Sequence, residues 1–260
     1  VQQMNSLMVC RIVRYSYRKT DGKEFSMDFK SVNPASGELM TGIAAFTAAE
    51  LESALQQAAQ AAPHWRQQPL AERCQLMRQA ATVLRQRAEK LARMMTLEMG
   101  KPIIEARAEI EKCARGCEYY AAAGPGFLAD EEIDSDAGRS LVTYQPLGTV
   151  LAVMPWNFPF WQVFRFAAPA LIAGNTGLLK HASNVPQCAL ALESVFVDAG
   201  FPAGVFRTLM IPSSQVEAVI QDPRVQAVTL TGSEPAGRQV AATAAAPIKK
   251  SLLELGGSDP

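Results

Sequence analysis

In the first half of the chain apolar positions recur with a helical period; from residue 148 onward they gather into short runs. Thr47-Ala48-Ala49-Glu50 has the form of a capping box, and Leu51, Ala54, Leu55, Ala58, Ala62 and Trp65 follow at helical spacing, which predicts a helix over 48–66. Pro69 stands at a helix start, and Leu76, Val83, Leu84, Leu91, Met94 and Met95 trace one longer stripe that Gly100 and Pro102 stop. A third helix is predicted from Pro102 to Ala123, ended by Gly124-Pro125-Gly126. It carries Cys113 and Cys117 one turn apart, which reads as a packed face rather than a metal or redox pair. The acidic stretch Asp130 to Asp136 followed by Ser140 to Tyr144 predicts a hairpin arm over 126–147, whose open edge suits a partner subunit. Beyond it, strands are predicted near 148–154, 176–180, 204–210, 225–231 and 248–253 with helices between them. Pro186 opens one of these helices and Ala199-Gly200 closes it, while Ser213 and Glu234 start two others.

This alternation predicts an α/β fold with a doubly wound parallel sheet covered on both faces, of the dinucleotide-binding kind. The reading divides the chain into an extension over 1–30, a helical part over 31–125, the arm over 126–147, the sheet over 148–255, and the start of a further domain over 256–260. Arg11, Arg14, Arg18 and Lys19 precede any acidic residue, as in an organellar presequence, yet the segment lacks an amphipathic period; ordered structure is expected to begin near Met27 to Val32.

Composition narrows the partners. Hydrophobic residues make up 48% of the 260 and charged residues 19%, with 25 Lys and Arg against 25 Asp and Glu, so no net field recommends nucleic acid or an anionic membrane. The densest apolar region, Leu147 to Lys180, is interrupted by Pro155, Asn157, Pro159, Arg165, Pro169 and Gly174 and holds no run of spanning length. Cysteines 10, 74, 113, 117 and 188 are odd in number and form no C-x-x-C pair, which argues against a disulfide framework and a zinc site and fits a reducing cytoplasm. No metal is expected.

The chemistry gathers in a few places. In Met154-Pro155-Trp156-Asn157-Phe158-Pro159 two prolines clamp an asparagine just past a strand's carboxyl end, where open α/β sheets bind ligands, and an amide fixed there can hydrogen-bond a developing oxyanion. The alternative is a cis-proline or wide turn that only redirects the backbone. Thr231-Gly232-Ser233, with Gly237 beyond, opens a helix directly after a strand and offers backbone amides to a phosphate; a glycine-rich entry can also serve packing alone. No G-x-G-x-x-G follows a strand. Lys180 ends the strand next to that of Asn157 and can reach ribose or phosphate, or be a solvated lysine. Glu254, between Leu253 and Leu255, is a candidate general base whose desolvation would raise its pKa; a helix-capping role is the other reading.

Read together, Asn33-Pro34-Ala35-Ser36-Gly37-Glu38, Glu98-Met99-Gly100-Lys101-Pro102, Pro155 to Pro159, Ala173-Gly174-Asn175, Lys180, Thr231-Gly232-Ser233 and Leu253-Glu254-Leu255-Gly256-Gly257 resemble, in this order, the aldehyde dehydrogenase superfamily over residues 31–260. The stretch 154–206 looks most like the bacterial succinate-semialdehyde dehydrogenases that use NAD or NADP. The resemblance implies oxidation of succinate semialdehyde to succinate through a thiohemiacetal and thioester, a place in GABA degradation, and a homodimer or homotetramer. It assigns Asn157 to the oxyanion and Glu254 to the hydrolytic water. Cofactor contacts fall on Met154, Pro155, Trp156, Lys180, Ser183, Gly232, Ser233, Gly237 and Leu255, and substrate contacts on Arg165 and Trp161. In this family the catalytic cysteine follows the Glu-Leu-Gly-Gly motif; this chain stops at Pro260 and none of its five cysteines has that context. The chain thus reads as the N-terminal half of an enzyme, inactive alone.

Cofactor choice departs from the commonest pattern. Many NAD-using members carry Pro-Ser-Glu after the lysine, whereas His181-Ala182-Ser183 stands here. Ser183 removes the repulsion of a 2′-phosphate and Lys180, with His181, offers positive donors, so dual use leaning to NADP is expected; His181 as an exposed loop residue is the plainer reading. Arg165 sits among Trp161, Phe164 and Phe166, where a guanidinium calls for an anionic partner; a substrate carboxylate or an internal salt bridge would serve. Glutarate semialdehyde is the nearest rival substrate, and a non-catalytic binding protein on the same fold is the alternative from another class.

Overall fold

The structure is a computed structural model that describes residues 28–257. The expectations for the amino-terminal extension and for Cys10 lie outside those residues. In chain order the elements are β1 (Phe29–Val32), β2 (Leu39–Ile43), α1 (Ala48–Gln67), α2 (Leu70–Gln86), α3 (Ala88–Met99), α4 (Ile103–Phe127), β3 (Glu131–Ile133), β4 (Ser140–Val142), β5 (Thr149–Met154), α5 (Trp161–Ile172), β6 (Thr176–His181), α6 (Pro186–Asp198), β7 (Phe206–Thr208), α7 (Val216–Gln221), β8 (Val225–Gly232), α8 (Glu234–Ala245) and β9 (Lys250–Leu255). A short 3-10 turn, Ser213–Gln215, leads into α7.

The capping box forms as read: Glu50 N–H donates to Thr47 Oγ1 at 3.2 Å while the Glu50 carboxylate accepts from Thr47 N–H at 2.8 Å. Two helical expectations need correction. The single long stripe after Pro69 is two helices that break at Arg87 (φ −107°, ψ 7°), with no glycine or proline there to announce it. The third helix runs through Gly124-Pro125-Gly126 to Phe127. Pro125 has no N–H for the Ala121 carbonyl one turn back, and Arg78 from α2 donates to that carbonyl instead at 3.2 Å. A Cβ on Gly124 would lie 2.9 Å from Ile172, so the glycine lets α5 approach α4. The arm is a short antiparallel pair, Glu131 opposite Val142 and Ile133 opposite Ser140, with Ile133, Leu141 and Val142 exposed.

Five parallel strands form the main sheet in the order β7-β6-β5-β8-β9. From β5 the chain winds through α5 and α6 to β7, then crosses back to β8 and β9, so the helices fall on opposite faces. One core joins α2, α3, α4, α5 and α6, with the Phe196 ring in contact with those of Phe164, Phe201 and Phe206; the other joins α1, α7 and α8. Each such buried ring contributes roughly 1.5–3 kcal/mol by burial. Interior β6 is buried throughout, whereas β9 is an exposed edge with Leu252 59% accessible. Winding reverses between β5 and β8, and in sheets of this kind the ligand crevice lies at the carboxyl ends of the strands flanking that point.

Candidate active site

Every element that ends at this crevice contributes a residue singled out in the sequence. β5 ends at buried Met154 and runs into Pro155, half-exposed Trp156 and exposed Asn157; among the described residues every peptide bond is trans. The Asn157 Oδ1 accepts from the Phe158 N–H at 3.1 Å, which orients the amide and leaves its Nδ2 hydrogens without a protein partner among the described residues. The loop is braced from below. Phe158 lies against Lys101 Nζ, 3.6 Å from the ring centre, and the buried Glu109 accepts from the Phe160 and Trp161 amides at 2.9 and 3.0 Å while pairing with Lys101.

The helices that start on this edge differ in what their amino ends hold. Glu109 occupies the amides opening α5, and buried Glu98 accepts from Gln187 and Cys188 at the start of α6, both at 2.8 Å. Ser233, which precedes α8, is exposed and makes no side-chain cap. Of these three helices, α8 alone leaves its amide end and dipole open to an anion. Gly237, one turn further, is buried where a Cβ would fall 2.4 Å from Leu255, so this glycine serves helix–strand packing; Gly232 and Ser233 are the open positions.

Lys180 lies beside Val153 in the β5–β6 register, is 7% accessible, and pairs with no carboxylate among the described residues; burial pushes its pKa down. A buried ammonium without a counter-charge suits an anionic or hydroxyl-rich ligand, and the solvated-lysine reading is set aside. Ser183, exposed two residues after His181, presents no negative charge. His181 overturns both readings of it. The ring is buried, Ala182 N–H donates to Nδ1 at 2.8 Å, and Nε2 lies 2.9 Å from the Pro159 carbonyl. Burial pushes its pKa down to about 4, so it is neither an exposed loop residue nor a cation for phosphate.

Arg165 reaches the far side of the crevice, where Nη2 donates to Thr231 Oγ1 at 3.2 Å and Nη1 lies 3.5 Å from Glu254 Oε2. The internal ion pair therefore exists, between groups 36% and 52% accessible. That exposure corrects the expectation of a desolvated Glu254: β9 is an edge strand, and water reaches the carboxylate. Trp161, one turn before Arg165, is engaged elsewhere, with its ring against Gly116 and 4.1 Å from Lys112 Nζ on α4. Leu255 is 41% accessible beside Gly237. Glu98 and Lys101 stand out in the sequence only as part of a motif and Glu109 not at all, because the loops they hold lie more than fifty residues further along the chain. Asn175 is structural, accepting from Leu147 and Gly148 N–H at the opposite end of the sheet. A cleft of about 450 Å³ also lies at that opposite end, between Pro63, Arg66, Pro146 and Gly174.

Among the described residues no exposed cysteine accompanies this edge. Cys74, Cys113, Cys117 and Cys188 are buried and unpaired, and burial raises the pKa of each thiol. Among the described residues no cluster of His, Cys, Asp and Glu is set to hold a metal, and no helix is long and apolar enough to cross a membrane.

The chain is similar to proteins already known. A probable NADP(+) succinate-semialdehyde dehydrogenase of Synechocystis is 54% identical over 234 residues, 90% of this chain and 52% of that protein. The NADP(+) succinate-semialdehyde dehydrogenase 1 of Mycobacterium tuberculosis H37Rv is 52% identical over 237 residues, with 52% of its length covered. The crystal structure of succinic semialdehyde dehydrogenase from Streptococcus pyogenes with NADP+ superposes with a TM-score of 0.87 at 38% identity, over 89% of this chain and 51% of that one. The chain thus spans about half the length of the curated relatives it matches. The aldehyde dehydrogenase family matches residues 20–260, beginning ahead of the boundary at 31 read from the motifs. With most of its length matched and its strand-end residues gathered at one switch point, this chain belongs to the aldehyde dehydrogenase family.

Proposed function

We propose that the chain is the cofactor-binding half of a dehydrogenase that oxidises succinate semialdehyde to succinate, with NADP preferred over NAD. The observation that carries the reading is that Asn157, Lys180 and Glu254 stand at or just past the carboxyl ends of neighbouring parallel strands around the β5/β8 switch point, with Arg165 paired to Glu254. The residues fit the dinucleotide that the family implies. Buried Lys180 and neutral Ser183 would hold the adenine ribose and its 2′-phosphate; Gly232 and Ser233 at the open end of α8 would face the pyrophosphate; Met154, Pro155, Trp156 and Leu255 would line its path. When bound, the nicotinamide supplies a hydride acceptor.

The chain's own groups do the rest. Asn157 Nδ2 donates to the aldehyde oxygen as a cysteine from outside this chain adds to the carbonyl. Arg165 turns its guanidinium to the far carboxylate of the substrate, and Glu254, half-exposed at 3.5 Å, takes a proton from the water that hydrolyses the thioester. Relatives named for the same aldehyde support this reading. Assembly through the β3–β4 arm, whose Ile133, Leu141 and Val142 are exposed, and action in a reducing cytoplasm belong to the same proposal.

The test is steady-state oxidation by the complete protein with succinate semialdehyde, glutarate semialdehyde and a neutral aldehyde, each with NADP and NAD. Preference for succinate semialdehyde with NADP is expected; a neutral aldehyde used equally well would sink the substrate reading. Glutarate semialdehyde is the second reading, since Arg165 recognises a carboxylate without setting chain length.

A further inference from the structure

His181 stands where many NAD-using members of the family carry proline, a residue with no side-chain donor. Its hydrogen-bond partners assign the ring's tautomer. The Ala182 amide can only donate, so Nδ1 carries a lone pair and Nε2 carries the hydrogen, which points to the Pro159 carbonyl at 2.9 Å. Pro159 closes the clamp around Asn157. That loop includes two prolines without amide hydrogens, and its shape rests on outside partners: Glu109 for the Phe160 and Trp161 amides, Lys101 for the Phe158 ring, and His181 for the Pro159 carbonyl. His181 is also the last residue of β6, opposite Met154 in register and next to Lys180.

We propose that His181 is a positioning residue: its Nε2–H ties the carboxyl end of β6 to the Pro159 carbonyl and so fixes where the Asn157 amide points. The inference rests on the reading of Asn157 as oxyanion donor. Lys180 and Asn157, which serve cofactor and aldehyde, are thereby joined through one ring and one carbonyl. Burial supports the assignment, since a neutral ring is the form the two contacts need. A misdirected amide weakens transition-state stabilisation more than binding, so the loss should fall on kcat.

Two variants separate the tie from mere packing. In His181→Gln the side-chain amide nitrogen reaches the place of Nε2 and keeps the donor; in His181→Asn the shorter side chain reaches only the place of Nδ1. Hydrogen–deuterium exchange of this chain reads the amides of Phe158, Phe160, Trp161 and Gln162, and ring-nitrogen chemical shifts read the tautomer; neither needs substrate. The expected result is an unprotonated Nδ1, exchange in 158–162 faster by about tenfold in the Asn variant, recovery in the Gln variant, and unchanged exchange in β8 and α8. In the complete protein, kcat should fall about tenfold in the Asn variant with the KM for aldehyde within about twofold, and recover with Gln. Equal exchange in all three proteins, a protonated Nδ1, or an unchanged kcat in the Asn variant overturns the proposal. A wild-type protein that turns over no aldehyde defeats the dehydrogenase reading and the positioning role with it, whereas unchanged exchange defeats the tie alone.

Discussion

Arg165 on α5 and Glu254 on β9 meet at 3.5 Å, so the residue suited to a substrate carboxylate already faces a carboxylate of the protein. Both side chains are well exposed, and a pair of that kind contributes little to stability. A second carboxylate can therefore take over the guanidinium at small cost. Thr231, which accepts from Nη2 at 3.2 Å, keeps the guanidinium on the β8 side while that exchange happens.

Replacing Arg165 with Gln should raise the KM for succinate semialdehyde by about a hundredfold and change the KM for a neutral aldehyde by less than about threefold, as loss of one charge-assisted bidentate contact implies. Steady-state kinetics on the complete protein checks this. Equal effects on the two aldehydes would leave Arg165 as the structural partner of Glu254 only.

Ser183→Glu should weaken NADP by about tenfold, because a carboxylate at this exposed position repels the 2′-phosphate through partly screened charge. NAD should bind as before or more tightly. Titration calorimetry with both cofactors measures the ratio, and an unchanged NADP affinity would place the 2′-phosphate elsewhere.

The buried His181 predicts acid sensitivity. Its folded pKa is pushed down to about 4 from the ordinary 6.5, so the unfolded chain binds the proton more readily. The stabilisation is complete above pH 6.5 and is lost as pH falls toward 4, amounting to about 2 kcal/mol at pH 5. Glu193 acts in the opposite sense, since burial raises its pKa and its contribution grows on acidification. Urea unfolding of wild type and His181→Gln at pH 7 and pH 5 isolates the histidine: the variant should lose about 2 kcal/mol less, and parallel losses would refute the assignment.

Lys101→Met should cost about 3 kcal/mol, because it removes one partner of a buried ion pair and leaves the Glu109 side chain buried without its ammonium. Lys101→Met combined with Glu109→Gln should recover part of that loss while still loosening the α5 amino end, where Glu109 accepts two amides. Denaturant midpoints of Lys101→Met, Glu109→Gln and the double variant decide the point; additive losses would show that the two residues act independently.

What could be read in the chain followed how local each signal was. Thr47 and Glu50 settle a helix start within four residues, and the buried runs that became β5, β6 and β8 sit close to where their patterns put them. The break at Arg87 carries no glycine or proline, and the helix persists past Pro125 because Arg78 answers the freed Ala121 carbonyl. That answer comes from another helix. The site divides in the same way: Asn157, Lys180, Gly232 and Glu254 announce themselves at strand ends, whereas the roles of Glu98, Lys101, Glu109 and His181 depend on partners distant in sequence. Arg165 was legible as a cation in need of an anion, but its meeting with Glu254 depends on the order in which β8 and β9 are laid down.

The position of Glu254 on β9 also bears on timing. Asn157 and Lys180 are held by the buried middle of the sheet, but among the described residues β9 has a neighbour on one side only and is accessible along most of its length. A strand so placed opens locally at lower free energy than the strands inside it. On the proposed reading, the oxyanion donor and the cofactor lysine would belong to the more rigid part of the sheet, and the proton acceptor to one of its two edge strands. In the reaction proposed above, whose base acts after hydride has left, that division would assign stillness to the first step and freedom of movement to the second.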